Sequence, residues 1–248
     1  MTTEKDSSIF RTAGLALLIV LATLAVYWPV MTGEFVWDDN LHITENVLIR
    51  ADGLYRSWFT RSQPNYWPVT WTVFWTQWKV WGPHPAGFHM VTVLLHAACA
   101  VALWRLLRRL GIPGSWLAAL VFALHPVNVE TGAWISQQKN LLSMLFGVLS
   151  VLIFLTYTDT GKRWRYALAL VLFAVSLLSK TATVILPVVM LFCVWWKRKT
   201  LCRHDILQLV PFFLLTVIMS LTEVWFQYFQ AMAVDVRSDS LISRLVVA

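Results

Sequence analysis

TAGLALLIVLATLAVYWPVM, residues 12–31, is followed three residues later by FVWDDN, residues 35–40. An apolar run of this length suffices for a helix to cross a bilayer core, which takes about 20 residues. It ends in Tyr27-Trp28-Pro29, with two bulky aromatics of the kind that sit at a membrane interface. A cleaved leader has a shorter apolar core and a small-residue cleavage site, so the run reads as a retained signal anchor. The two adjacent carboxylates, Asp38 and Asp39, then emerge directly beyond the anchor.

The rest of the chain has the same character. Hydrophobic residues make up 58% of 248, charged residues 13%, and 15 are Trp, with a mean hydropathy of +0.63. That leaves too little polar surface to cover a soluble globule, and the fold class expected is an all-α polytopic membrane protein. The net charge of +7 does not indicate nucleic acid, because the basic residues fall in short clusters between apolar stretches rather than along one face. Cys99 and Cys193 lie in apolar segments and Cys202 among basic residues, without the spacing of a disulfide or a zinc site. There is no P-loop, H-E-x-x-H or G-x-S-x-G motif, hence no motif case for an ATPase, a zinc protease or a serine hydrolase.

Six further apolar segments follow, at roughly 88–104, 115–135, 140–157, 166–180, 183–196 and 206–221, predicting about seven crossings. Arg105, Arg108 and Arg109, then Lys162, Arg163 and Arg165, then Lys197, Arg198, Lys199 and Arg203 occupy alternate loops, on the side of Lys5 and Arg11. By the positive-inside rule that side is the cytoplasm. The expected organisation is a cytoplasmic tail (1–11), a membrane domain (12–221) with an outer loop (32–85) carrying short interfacial helices, and an outer C-terminal stretch (222–248). Asp52 is expected to start a short helix. Trp71, Trp75 and Trp78 share one face of another, which suits interfacial placement or ordinary packing, before Gly82-Pro83 stops it. The segments 166–180 and 183–196 are short for full crossings, and Pro126 breaks 115–135, so an outward-facing hollow is expected between their ends.

On that outer side lie Asp38, Asp39, His125, Glu130, Lys139 and Lys180. Asp38 and Asp39 are the candidate catalytic carboxylates. Adjacent acids also serve as turn residues, or share a divalent cation. His125, Glu130, Lys139 and Lys180 are the candidate substrate-binding residues. An intramembrane lysine needs a partner, and for Lys180 that is either a phosphate or one of the acids. No metal-ligand set is apparent.

Several blocks carry a resemblance: FVWDDN at 35–40, DGLYRSWF at 52–59, GFHMVTVLLH at 87–96, LVFALHPV at 120–127, VETGAWIS at 129–136, KNLLS at 139–143 and LLSKT at 177–181. Together they resemble the transmembrane O-mannosyltransferases with tetratricopeptide repeats, in particular their bacterial relatives, from Phe35 to about Phe213. The resemblance implies a C-type glycosyltransferase-like core and a polyprenyl-phosphate sugar donor. It also implies a protein acceptor and a bacterial inner membrane location with the N-terminus cytoplasmic. Asp38 and Asp39 match the family's acidic motif, His125 and Glu130 its H-P-V-x-x-E block, and Lys180 its S-K block. Mannose is the family's best-known sugar, and nothing in these residues selects it. Asn128 stands where a second histidine is frequent and Thr181 where animal relatives usually have glutamate, and no repeat of about 34 residues is visible. The partners expected are therefore membrane lipid, lipid-linked sugar, a protein acceptor and other membrane subunits, with no nucleic acid. The alternative to an enzyme is a non-catalytic membrane subunit derived from one.

Overall fold

The computed structural model describes residues 2–51 and 53–233, with side chains from 10 to 229. The expected role of Asp52 and the stretch 234–248 therefore lie outside the described residues. Every regular element among the described residues is helical: α1 (Thr2–Tyr27), α2 (Val47–Arg50), α3 (Leu54–Phe59), α4 (Pro68–Trp81), α5 (Pro85–Arg109), α6 (Ser115–Leu124), α7 (Val129–Ala133), α8 (Gln138–Thr160), α9 (Arg163–Ser179), α10 (Leu186–Arg198) and α11 (Arg203–Ala233). Short 3-10 turns join several of them. Helix boundaries follow local chemistry. Asn46 caps α2 by accepting from the Leu48 and Ile49 amides, Pro68 and Pro85 open α4 and α5, and Gly161 ends α8 in the left-handed conformation.

Among the described residues, five helical stretches are long and apolar enough to cross a membrane: Phe10–Thr32, Pro85–Arg109, Ile135–Thr160, Thr181–Arg198 and Arg203–Phe229. The segment expected at 183–196 gains length because a 3-10 turn, Thr181–Ile185, runs into α10. The ten residues of α6 reach only ~15 Å and the 17 of α9 ~26 Å, against a core of ~30 Å. Instead of one long segment at 115–135, the chain breaks at His125-Pro126, where proline has no amide to continue the ladder, and re-forms as α7. Past 221, helix α11 continues to Ala233 without interruption.

Three apolar clusters hold the described residues together. One joins α8, α9, α10 and α11 through Phe154, Phe173 and Phe212, with ring centroids 5.5 Å apart around Phe212. A second joins α1, α5 and α6 through Ile19, Trp104 and Ala123. Because lipid is as apolar as these side chains, close van der Waals fit rather than the hydrophobic effect drives such helix contacts. Ser143, Gly147 and Ser150 form a stripe of small residues along α8 that lets α9 approach. There, Ser150 donates to the Ala169 carbonyl at 2.7 Å and Ser176 to the Ser143 carbonyl at 2.6 Å. The third cluster, Ile43, Ile49, Trp67, Trp71, Phe74, Phe88 and Ile135, seats the segment 33–81 on the ends of α5 and α8.

The clustered cations share one end of the bundle. Asp159, at the end of α8, accepts from Arg109 (2.8 Å) and Lys197 (2.8 Å), while Arg198 reaches the Thr158 carbonyl and Arg108 reaches Thr12. The segment 33–81 covers the opposite end.

Candidate active site

The acidic stretch is built by a strained turn. Trp37 has φ +49, a left-handed value costly for a bulky residue. Its ring meets Trp134 edge-on at 5.5 Å, and the Trp134 indole donates to the Val36 carbonyl. A π-helical turn, Asn40–Thr44, follows. The result separates the two carboxylates. Asp39 is fully buried and accepts from the Ser136 amide (2.8 Å), the Ser136 hydroxyl (2.6 Å) and the Val36 amide (3.1 Å). Burial pushes its carboxyl upward, opposed by those three bonds. Both of its oxygens accept hydrogen bonds from the protein. Among the described residues no group of three or more His, Cys, Asp or Glu is placed to hold a metal ion.

Asp38 is the exposed member. Its carboxylate lies 3.8 Å from the Lys139 ammonium, with 49% of the Asp38 side chain exposed against 10% for Lys139. Lys139 is the second residue of α8, and its ammonium sits 5.2 Å from the Trp67 ring centroid. The Lys180 ammonium lies 5.9 Å from the same ring. Two lysines from distant parts of the chain therefore converge on one indole. The Trp67 Nε1 is buried with no hydrogen-bond acceptor among the described residues.

The lysines are set by backbone breaks. Lys180 is extended between α9 and the 3-10 turn, with its amide donating to the Ser176 carbonyl and its carbonyl accepting from Ser143. Thr70, in the first turn of α4, donates to the Ser179 carbonyl at 2.8 Å. Glu223 on α11 lies within electrostatic reach of Lys180 and accepts from the Tyr66 amide. His42 packs edge-on to Trp67 and Trp71 and pairs through Nδ1 with the Ser136 hydroxyl. Burial, with the Lys139 charge added, pushes its pKa down to about 4, so the ring is neutral at physiological pH.

Two of the residues singled out from sequence lie apart from this cluster. His125 is exposed and turns its Nδ1 back to accept from the Val127 amide, capping the turn that follows the Pro126 break. Glu130 is exposed and accepts from Gln137 at 2.9 Å, which makes it a brace for the start of α8. The Trp71 and Trp75 indoles donate to the Asn65 and Ala51 carbonyls, and with Trp78 they pack in the cluster beneath the loop. Sequence reasoning missed Trp67, His42, Ser136 and Glu223. Glu223, an acid inside the apolar helix α11, carries a signal that the sequence alone could have supplied. Trp67 and Ser136 carry no such signal, because their importance comes from partners far along the chain.

Beside the cluster, between α3, α9 and α11, runs a groove of about 550 Å³ lined by Trp58, Tyr66, Leu178, Ile218, Thr222 and Phe226 among others. Tyr66 and Thr222 adjoin Trp67 and Glu223 in the chain, so the groove opens next to the lysine pair.

A helical membrane scaffold with breaks gathering cations and a carboxylate at one end defines the class of polytopic membrane protein to which this molecule conforms. Residues 63–225 match the dolichyl-phosphate-mannose-protein mannosyltransferase family, and the chain belongs to that family. It is 23% identical over 218 residues to protein O-mannosyl-transferase F38B6.6 of Caenorhabditis elegans, covering 81% of this chain and 31% of that protein. It is 33% identical over 147 residues to human protein O-mannosyl-transferase TMTC4, covering 48% of this chain and 20% of that protein. Mouse protein O-mannosyl-transferase TMTC2 is 28% identical over 150 residues, 55% of this chain and 18% of that protein. The chain thus spans less than a third of the length of these relatives. No solved structure matches it.

Proposed function

We propose that this chain forms the donor-phosphate site of a membrane glycosyltransferase. The enzyme transfers a sugar, mannose by analogy with its relatives, from a polyprenyl phosphate to a protein hydroxyl at the outer face of a bacterial inner membrane. The observation that carries this reading is the convergence of Lys139 and Lys180 on the Trp67 ring, at 5.2 and 5.9 Å. Two ammonium groups suit the oxygens of a phosphate, which the groove beside Tyr66 and Leu178 complements with space for an isoprenoid chain. The clustered cations at the far end support an orientation with the N-terminus cytoplasmic.

In this mechanism Asp38 accepts the proton of the acceptor hydroxyl as its oxygen bonds to the sugar's anomeric carbon. The bond from that carbon to the phosphate oxygen breaks, and its electron pair leaves with the phosphate. Lys139 and Lys180 stabilise the charge that accumulates there. Asp39 is a positioning residue: bonded to Ser136 and Val36, it fixes the backbone from which Asp38 projects. The neutral His42 holds Ser136 and walls the indole without adding charge.

A second reading, a membrane subunit without transfer activity, is favoured by the charge compensation already present, Asp38 on Lys139 and Glu223 near Lys180. One experiment separates the two. In the complete protein, transfer from a radiolabelled polyprenyl-phosphate sugar is measured for Lys180→Met, Lys139→Met and Asp38→Asn. Each is expected to lose roughly 100-fold or more in rate, as removal of one electrostatic or proton-accepting group does. Rates equal to the unaltered protein in all three, or no transfer by the unaltered protein, sink the catalytic reading.

A further inference from the structure

We propose that the cleft between α1, α5 and α8, at the end of the molecule opposite the candidate active site, binds an anionic phospholipid of the adjoining leaflet. The cleft holds about 600 Å³. Small side chains on α5, Ala97, Ala98 and Ala102, leave it open, while Val20, Leu145 and Leu149 supply its apolar walls. Its lining runs from Leu94 to Arg105 on α5 and from Leu145 to Thr156 on α8, in each case 11 helical rises or ~16 Å, with Arg109 one turn further along α5 at the basic mouth. That is close to one half of a hydrocarbon core of ~30 Å, the depth occupied by a single acyl chain.

Charge decides the occupant. At its basic end the cleft meets a second cavity of about 570 Å³, lined by Thr12 and by Arg105, Arg108 and Arg109. The two cavities share Arg105, Arg109 and Leu152. Arg105 is exposed and has no ion-pair partner among the described residues. Arg108 donates to Thr12 at 3.0 Å and lies 5.9 Å from the Trp104 ring. Arg109 donates through Nη2 to Asp159 and to the Leu155 carbonyl, but its Nε is buried without an acceptor among the described residues. Asp159 is the carboxylate facing this group, and it is already shared with Lys197. Among the described residues the guanidinium groups therefore outnumber the carboxylates that face them at the mouth of a chain-deep apolar slot. That combination selects a phosphate headgroup with net negative charge and an acyl tail, and basic pockets between membrane helices bind such lipids.

The test is native mass spectrometry of the complete protein released from detergent, after incubation with phosphatidylglycerol or with phosphatidylcholine of identical chains. Retention of phosphatidylglycerol is expected to exceed that of phosphatidylcholine by roughly tenfold, given three arginines near the headgroup. Arg105→Gln with Arg108→Gln is expected to abolish the preference while leaving some retention of both lipids. Ala98→Trp fills the slot and is expected to reduce both. Glycerol phosphate, which has the headgroup chemistry without a chain, is expected not to displace the lipid. Equal retention of the two lipids by the unaltered protein, no lipid retained because protein fills the slot, undiminished binding by Ala98→Trp, or displacement by glycerol phosphate would each overturn the proposal. Should a variant fail to fold, the same preference is read from the unaltered protein as a larger thermal shift with phosphatidylglycerol than with phosphatidylcholine. The site is remote from Lys139 and Lys180, so its failure leaves the proposed transfer function untouched.

Discussion

Asp38 and Asp39 are chemically identical neighbours with opposite structural roles, and replacing each by asparagine separates stability from chemistry. Asp39→Asn keeps the size of the side chain but converts one acceptor oxygen into a donor. If the amide oxygen takes the two bonds from Ser136, the amide nitrogen faces the Val36 N–H, which it cannot accept. One charge-assisted bond, worth about 1.5–3 kcal/mol, is lost, and two donors are left opposed. Removing a buried charge whose pKa burial has raised recovers part of this, leaving a net loss of about 2 kcal/mol. At ~2–4 °C per kcal/mol for a chain of this size, the expected fall in midpoint is ~4–8 °C. Asp38→Asn removes a half-exposed ion pair at 3.8 Å, and such pairs contribute under about 1 kcal/mol. Thermal unfolding of the complete protein in detergent, followed by tryptophan fluorescence, measures both shifts, and sugar transfer measures activity. The expected outcome is a stable, inactive Asp38→Asn and a destabilised Asp39→Asn. A fall in midpoint as large for Asp38→Asn as for Asp39→Asn, or an Asp39→Asn midpoint equal to that of the unaltered protein, would refute the division of roles.

Further outcomes follow from the same packing. His42 has a folded pKa of about 4, below the ordinary 6.5, so its neutral form is the native one. Above pH 6.5 both states are neutral and the contribution is complete. As pH falls from 6.5 toward 4 the unfolded chain takes up a proton that the folded chain refuses, and up to about 3 kcal/mol is lost. Melting temperatures across that window are expected to fall less steeply for His42→Asn than for the unaltered protein, and parallel slopes would assign the pH dependence elsewhere. Gly132 lies against Tyr27 so closely that a Cβ would stand 2.7 Å from two ring carbons. Gly132→Ala is therefore expected to lower stability by about 1–3 kcal/mol, with partial recovery when Tyr27→Val is added, both read from thermal unfolding.

Much of the scaffold is legible in the sequence because it depends on local chemistry. A 20-residue apolar run that contains an aromatic pair near its end marks α1, Pro126 ends α6 although Pro211 is carried inside α11, and Gly82 stops the tryptophan-bearing helix α4. Alternation of cationic loops was enough to expect the clusters of Arg108 and Arg109 and of Lys197 and Arg198 together, and they meet around Asp159. Lengths near the spanning threshold were less readable. Whether α6, α9 or the 181–198 stretch fills the bilayer depends on short 3-10 turns that composition does not reveal.

The sequence by itself determined the class of the protein and the end of the bundle on which its acids and two lysines lie, because hydropathy and charge along a chain dictate how helices cross a membrane. Only the tertiary structure decided which of those groups meet. Ser136, 97 residues from Asp39, captures that carboxylate and leaves Asp38 free to face Lys139. Trp67, unremarkable among 15 tryptophans, is where Lys139 and Lys180 converge. His125 and Glu130, as prominent in sequence as either lysine, are taken up by a helix cap and a brace. The physical reason is that a buried polar group must find its partner wherever packing brings one, and contacts between residues distant in the chain are set by how the helices fit together.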